Sequence, residues 1–537
     1  MTRYLLDCTL RDGGYVNDWK FGREHISYLF TRQVSSGVDV IEVGFLDERR
    51  PFDPDRTIMP DTKAVNLIFG RLDSCQALKV AMIDYGTCAI ERLQPCQECW
   101  LDGIRVIFKK EVMREAIEFC KKVRALGYLI FVQAVSITSY NEDELRDLIA
   151  LVNDLQPYAM SMVDTYGLLE PEGLLKMIPV VDKCLSREII LGYHAHNNFQ
   201  LGYANSITML NSRLNRDILV DGTLYGMGKS AGNAPIELIA MYMNRQFGVR
   251  YDVTQMQEAI VSGILDIYAK QPWGYTLFYY IAAANKCHPN YVAYLMNRRT
   301  LSITAVNEIL RQLPESERLN KNERLIERLY LDYQCKYCDD TVSTESLRQA
   351  LSGKSVLMLG PGASIATRKQ RILEYIEAIS PIIVSINFIP ESYRPDYLFL
   401  TNSLRYLQMT DKLSWEEYAS IPIIATSNVT RTGGKFPYVV NYSRLLDDSA
   451  DIPDNSMIML LKFLREIGVK EVALAGFDGY TADDVNYYEK KMEYGFIREK
   501  AQSLNGYARR FLKEYERTVS LTFVTDSYYL HEQGDVI

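Results

Sequence analysis

Residues 189–198 read IILGYHAHNN: a short apolar run that ends in two histidines one residue apart. In a strand successive side chains alternate between faces, so His194 and His196 point the same way. Runs of the same kind lie along the chain before and after it. They are RYLLDCTL from Arg3, VDVIEVGF from Val38, LKVAMIDY from Leu78, GIRVIFK from Gly103, YLIFVQAVS from Tyr128, AMSMVDTYG from Ala159 and DILVDGTLYGMG from Asp217. Spacings of roughly 25–40 residues leave room for one crossover helix each, as a right-handed parallel βαβ unit requires. Eight such units predict a closed (β/α)8 TIM barrel rather than an open doubly wound sheet.

Beyond the eighth run the pattern changes. From Val253 to about Ser352 helix-period stretches replace strands, as in LSITAVNEILRQLPESERLNKNERLIERLYLDY. At Lys354 a new strand signal, KSVLMLGPGASI, is followed by the helical TRKQRILEYIEAI and then by PIIVSINFI. PDYLFLTN, IPIIATSN, KEVALAGFDGY and VSLTFVTD continue the alternation. The expected organisation is therefore a barrel over 1–252, a helical extension and linker over 253–352, and a Rossmann-like α/β domain over 353–537. A chain of 537 residues is too long for one core, since cores stop growing near ~250–300 residues.

Composition narrows the function classes. The chain is 47% hydrophobic and 24% charged, ordinary for a globular protein. Its net charge of −8 comes without long blocks of one sign, so no nucleic-acid footprint is visible. No apolar stretch approaches the ~20 residues of a membrane span, and a strand begins at Arg3, which predicts a cytoplasmic protein. The ten cysteines are read as reduced thiols. The pairs Cys96/Cys99 and Cys335/Cys338 lie too far apart to favour a shared structural zinc.

Chemistry in such a barrel gathers where strands end, at the C-terminal face. The first run ends DCTLRDGGY, which puts Arg11 and Asp12 at that rim. The chain has only five histidines, and two share one face of the seventh strand. Two neutral imidazoles and a carboxylate on one side of an ion leave positions open for a bidentate ligand, as in a catalytic rather than a structural metal site.

Taken in order, Thr9-Leu10-Arg11-Asp12-Gly13, Ile41-Glu42-Val43-Gly44, Asp164-Thr165-Tyr166-Gly167, His194-Ala195-His196-Asn197-Asn198 and Gly226-Met227-Gly228 through Gly232-Asn233-Ala234-Pro235 resemble a known group. It is the metal-dependent pyruvate aldolase and lyase family, which includes 4-hydroxy-2-oxovalerate aldolase, hydroxymethylglutaryl-CoA lyase and 2-isopropylmalate synthase. The resemblance implies a divalent-metal-dependent carbon–carbon lyase acting on a 2-oxo acid, with Asp12, His194 and His196 ligating Mn²⁺ or Mg²⁺, and Co²⁺ or Zn²⁺ as further candidates. It implies Asn233 as a fourth ligand, Arg11 as the cation that holds the enolate oxygen, Thr165 as a carboxylate-binding hydroxyl and Glu42 as a rim residue. One departure stands out: the aldolases place a histidine base where this chain has Tyr15. A phenol with a pKa near ~10 is a poor base, so the candidates for the proton transfer are Tyr15 acting through a water, Tyr275 and His288. The acyl-CoA branch shows a different continuation after Arg-Asp-Gly, which disfavours a Claisen-type acyltransferase. A barrel that lost its chemistry and serves as a scaffold is the third reading.

In the last domain, Met358-Leu359-Gly360-Pro361-Gly362-Ala363-Ser364 follows a strand and opens a helix, where backbone N–H groups can meet a phosphate. With Asn387, Pro395-Asp396-Tyr397 and Gly476-Phe477-Asp478-Gly479 it resembles 6-hydroxymethylpterin diphosphokinase-like and bacterial sialyltransferase-like proteins. That resemblance implies a nucleotide or nucleotide-sugar ligand near Gly362, Ser364, Asn387 and Asp478, and a role in surface carbohydrate synthesis. Whether the chain forms a homo-oligomer stays open.

Overall fold

The computed structural model describes residues 1–335, 337–447, 453–482, 486–489 and 497–530. It divides into two compact units, Met1–Pro289 and Asn290–Ile537. The helical stretch after the eighth strand is shared between them: Val253–Ala259 and Leu277–Ala284 fall in the first unit, Glu323–Gln334 and Thr341–Leu351 in the second. Among the described residues no helix is long and apolar enough to cross a membrane.

The first unit is a (β/α)8 barrel. Its strands are β1 (Arg3–Asp7), β2 (Val40–Leu46), β3 (Leu78–Asp84), β4 (Gly103–Phe108), β5 (Leu129–Ala134), β6 (Ala159–Asp164), β7 (Ile190–Ala195) and β8 (Ile218–Gly222). Each pairs in parallel with its neighbour, and β1 closes the ring by pairing with both β8 (Arg3↔Ile218 to Asp7↔Gly222) and β2 (Leu6↔Val40). A two-residue strand, Ile58–Met59, adds to β2 outside the ring; no strand period can be read from two residues.

Alternation along the strands sorts the barrel interior into layers. Leu6, Val40, Val80, Phe131, Ala159, Ile190 and Leu219 pack together as an apolar plug. Two residues further along several of these strands come Glu42, Gln133, Ser161 and Asp221, joined by Arg105 from β4, and all are buried. Above this polar layer stand the strand-end groups, so the apolar plug seals the barrel beneath the chemistry. Outward-facing residues such as Ile41, Val43, Ile104, Val132 and Leu191 pack instead with the helices in the larger core.

Asp7 shows what burial does to a carboxyl here. Desolvation lifts its pKa to about 7, although Thr9 donates to it from both its hydroxyl and its N–H. A folded-state pKa above the unfolded value means that the folded chain binds this proton more tightly, so the contribution to stability is present at low pH and is lost as pH rises through about 7. Urea denaturation between about pH 5 and pH 8 is expected to show barrel stability falling with pH, and Asp7→Asn to flatten that fall.

The second unit holds a seven-stranded parallel sheet of β9 (Ser355–Leu359), β10 (Ile382–Ile386), β11 (Tyr397–Leu400), β12 (Ile423–Thr426), β13 (Tyr438–Val440), β14 (Glu471–Ala475) and β15 (Ser520–Phe523). Their spatial order is β13-β12-β11-β10-β9-β14-β15. The order reverses at β9, whose two neighbours are β10 and β14, and the crevice beyond the carboxyl ends at such a reversal is the usual place for a ligand.

Candidate metal centre and a second cleft

Asp12 ends the single helical turn Thr9–Asp12 that follows β1, while His194 and His196 lie on and just past β7. Three ligand atoms from these residues lie within 4.8 Å of one another, and all three residues are buried. Nε2 of His194 is 3.7 Å and Nε2 of His196 is 3.9 Å from Oδ2 of Asp12.

The far side of each ring explains the orientation. Nδ1 of His194 is 3.0 Å from Oδ2 of Asp221. Nδ1 of His196 faces the carbonyl oxygens of Lys229 at 3.2 Å and Gly232 at 3.3 Å. A carbonyl only accepts, so Nδ1 of His196 carries the proton and its Nε2 keeps a lone pair. Burial pushes the His196 pKa down to about 4, so the ring is neutral at pH 7, as a ligand must be. Burial alone would raise the Asp12 carboxyl, but Arg11, His196 and His194 hold it well below the usual carboxylate range.

A chain of buried charges ties the set together. Arg11 donates from Nε to Glu42 at 2.7 Å and from Nη1 to Asp12. Arg105 donates to the same Glu42 oxygen at 2.9 Å, to Gln133 at 2.9 Å and to Asp221, which returns to His194. Asn233 donates from Nδ2 to Oδ1 of Asp12 at 2.9 Å, and its own Oδ1 is buried with no partner among the described residues. Turning that amide over would offer an oxygen where it now offers N–H. The donor set, a carboxylate with two imidazoles and an orphaned amide oxygen beside them, fits a divalent cation held on one side.

Replacing Asp221 by asparagine is expected to leave the strand packed while removing the carboxylate that orients His194. Outer-shell losses of this kind lower metal affinity by roughly 10–100-fold. Competition with a fluorescent chelator measures it.

The other rim residues divide. Thr165, half-buried just past β6, accepts the Ser136 N–H at 2.8 Å on its hydroxyl oxygen, leaving the hydroxyl proton available. Asp164 beside it accepts from the N–H groups of Leu168 and Leu169 and serves the loop. The Tyr15 ring lies in the mouth against Trp19 and Phe45, with centroids 4.8 Å and 6.0 Å away, and its surroundings raise its pKa further. It is thus a hydrogen-bond donor rather than a base at neutral pH. Tyr275 is 58% exposed and makes no hydrogen bond or ring contact with the cluster. His288 packs edge-on to Tyr166, with ring centroids 6.1 Å apart.

Sequence reasoning missed Asp221, Arg105 and Lys229. The first two carried a signal: each is a charge at an inward position of an otherwise apolar strand.

In the second unit a solvent-open cleft of about 1070 Å³ lies at the carboxyl ends of β9, β10, β11 and β14. Gly362, Asn387 and Asp478 line it, with Arg298, Arg405 and Tyr487. The Gly-Pro-Gly turn does not present a free phosphate cradle, however. Asp478 accepts both the Ser364 N–H, at 2.8 Å, and the Ser364 hydroxyl, so the protein's own carboxylate fills the start of that helical turn. A Cβ on Gly362 would meet the Gly476 oxygen at 2.6 Å, and this close approach of the two strand ends is what requires glycine. Asn387 is spent internally on Thr401 and Ser456.

A closed barrel with a buried carboxylate–imidazole cluster at its C-terminal mouth defines the class of the first unit. The HMGL-like family matches residues 3–260. A 4-hydroxy-2-oxovalerate aldolase 2 from Salinispora arenicola is 30% identical over 243 residues, which cover 44% of this chain and 67% of that one. The 4-hydroxy-2-oxovalerate aldolase of Bacillus cereus is 24% identical over 270 residues, covering 48% and 75%. Among solved structures, the HMG-CoA lyase of Brucella melitensis aligns with a TM-score of 0.39 at 16% identity, over 48% of this chain and 96% of that one. The chain belongs to the HMGL-like family.

Proposed function

We propose that the barrel is a divalent-metal-dependent aldolase that makes or breaks the carbon–carbon bond next to the carbonyl of a pyruvate-like 2-oxo acid. The carrying observation is the convergence of Asp12, His194 and His196 from opposite ends of the barrel sequence onto one point, with both imidazoles oriented from behind. The names of the relatives support the same class.

Asp12, His194 and His196 would hold the cation, with Asn233 as a further donor; Mn²⁺ or Mg²⁺ suits a site that must also accept oxygen ligands. Such a cation supplies Lewis acidity to the oxo acid's carboxylate and carbonyl oxygens. Arg11 is locked by Glu42 and Asp12 through Nε and Nη1, and Nη2 has no partner among the described residues, which suits it to a developing oxyanion. The Thr165 hydroxyl is free to donate to a carboxylate, and Tyr15, protonated at neutral pH, to the oxygen of the acceptor.

Deuterium exchange at C3 of a panel of 2-oxo acids, followed by NMR with and without each of Mn²⁺, Mg²⁺, Co²⁺ and Zn²⁺, tests the reading. Exchange that depends on added metal supports it. No exchange and no bound metal would leave the barrel a scaffold, and thiol release from acetyl-CoA would make it an acyltransferase.

For the second unit the cleft at the strand reversal favours a nucleotide or nucleotide-sugar ligand, with Arg298 and Arg405 as its cationic wall. Activated sugars would place the whole chain in surface-carbohydrate synthesis. Thermal-shift screening of nucleoside phosphates and nucleotide sugars tests it, and a flat response across both sets would remove the proposal.

A further inference from the structure

Lys229 is held beside the candidate metal ligands by its own backbone. Its N–H donates to Oδ1 of Asp12 at 2.9 Å, and its carbonyl oxygen faces Nδ1 of His196 at 3.2 Å. The preceding Gly228 is pressed so close that a Cβ there would meet Asn233 Nδ2 at 2.0 Å and Asp12 Oδ1 at 2.6 Å. Residue 229 is therefore clamped between two candidate metal ligands, and its side chain starts beside them. The ammonium ends 5.3 Å from the centroid of the Tyr15 ring. Among the described residues it has no ion pair and no hydrogen bond, although the side chain is half-buried.

A half-buried cation with a ring face and no ion pair is costly unless something else answers its charge. The charges around it answer it only in part: Asp12 and Asp84 attract it, while Arg11 and Lys109 repel it. Beneath it, the three carboxylates of Asp12, Glu42 and Asp221 face the two guanidinium groups of Arg11 and Arg105, one negative charge in excess. A divalent cation and the carboxylate of a 2-oxo acid would bring that set to neutrality. At the rim, Asp47 is paired with Arg49, and the exposed Asp84 is shared among Arg49, Lys109 and Lys229. Three rim cations, Arg49, Lys109 and Lys229, thus face two carboxylates, and among the described residues Lys229, on the Tyr15 side of the mouth, makes no ion pair.

We propose that Lys229 selects the acceptor: the second substrate is an aldehyde that carries an anionic group, a phosphate or a carboxylate, seated on this ammonium. The inference rests on the aldolase reading and names the half of the reaction which that reading leaves open. In the forward direction C3 of the oxo acid loses a proton and bonds to the aldehyde carbon, and the aldehyde oxygen gains a proton to become a hydroxyl. The anionic group takes no part in the bond change; it fixes which aldehyde is held there.

The test uses the full-length chain loaded with metal, pyruvate as donor, and three matched sets of aldehydes: neutral, carboxylate-bearing and phosphate-bearing. The wild-type protein is expected to prefer one anionic set over neutral aldehydes of equal length by at least about tenfold in kcat/KM, the scale of one charge-assisted hydrogen bond. The two anionic sets tell carboxylate from phosphate. Lys229→Met is expected to abolish the preference mainly through KM for the aldehyde, and Lys229→Arg to retain most of it; melting curves of both variants report on folding. Equal use of neutral and anionic aldehydes by the wild-type protein overturns the inference while leaving the aldolase reading intact. So does a rise in KM for pyruvate, rather than for the aldehyde, in Lys229→Met, because the ammonium would then serve the donor. Absence of metal-dependent exchange at C3 in the wild-type protein removes both.

Discussion

His194→Ala is expected to abolish metal-dependent exchange at C3 and to weaken metal binding by more than the roughly 100-fold that loss of an outer-shell partner costs. The ring is one of the three converging donors, and its loss leaves one carboxylate and one imidazole of that set. Its Nδ1 partner Asp221 is already committed to Arg105 and stays behind the vacancy. The change should be nearly silent in folding, because alanine at 194 still fits β7 and Asp221 keeps a cation. Isothermal titration with Mn²⁺ and exchange by NMR would read the two losses together. Exchange at the wild-type rate would disprove the metal assignment.

Arg105→Met is expected to act the other way, on stability first. Arg105 is fully buried and joins Glu42, Gln133 and Asp221 across the inside of the barrel. Removing one member of a buried ion cluster typically costs about 3–5 kcal/mol, because the partners stay behind as uncompensated charges. For a unit of this size that lowers the melting temperature by about 5–8 °C. Glu42 keeps Arg11, so most of the cost should fall on Asp221, and His194 loses its orientation with it. A companion variant with Glu42, Arg105 and Asp221 all replaced by apolar residues should recover much of the stability and none of the metal binding. That contrast separates what the polar layer does for the fold from what it does for the site.

The barrel was legible because eight apolar runs at regular spacing leave few alternatives, and Asp12, His194 and His196 were legible because strand ends and a period of two fix where they point. Lys229 was not, since a lysine in a glycine-rich loop reads as a solvated charge until the backbone bonds to Asp12 and His196 are seen. Arg105 could be noticed in GIRVIFK, but its partners lie 63 and 116 residues away and depend on the stagger of the closed ring. The internal capping of the Gly-Pro-Gly turn was hidden for a similar reason. Nothing local shows that Asp478, 114 residues later, folds back to take the Ser364 N–H.

Asp12 stands at the start of the chain and its partners at 194, 196 and 233 near the end of the barrel, across the seam where β1 meets β8. On a ribosome adding ~5–20 residues per second, the aspartate emerges about 10 s or more before either histidine can join it. Through that interval the nascent polypeptide has no place to trap a cation, so metal can be captured only once ring closure is within reach. Loading then becomes a late checkpoint of biogenesis, and a chain stalled before its seventh strand should leave the ribosome empty-handed.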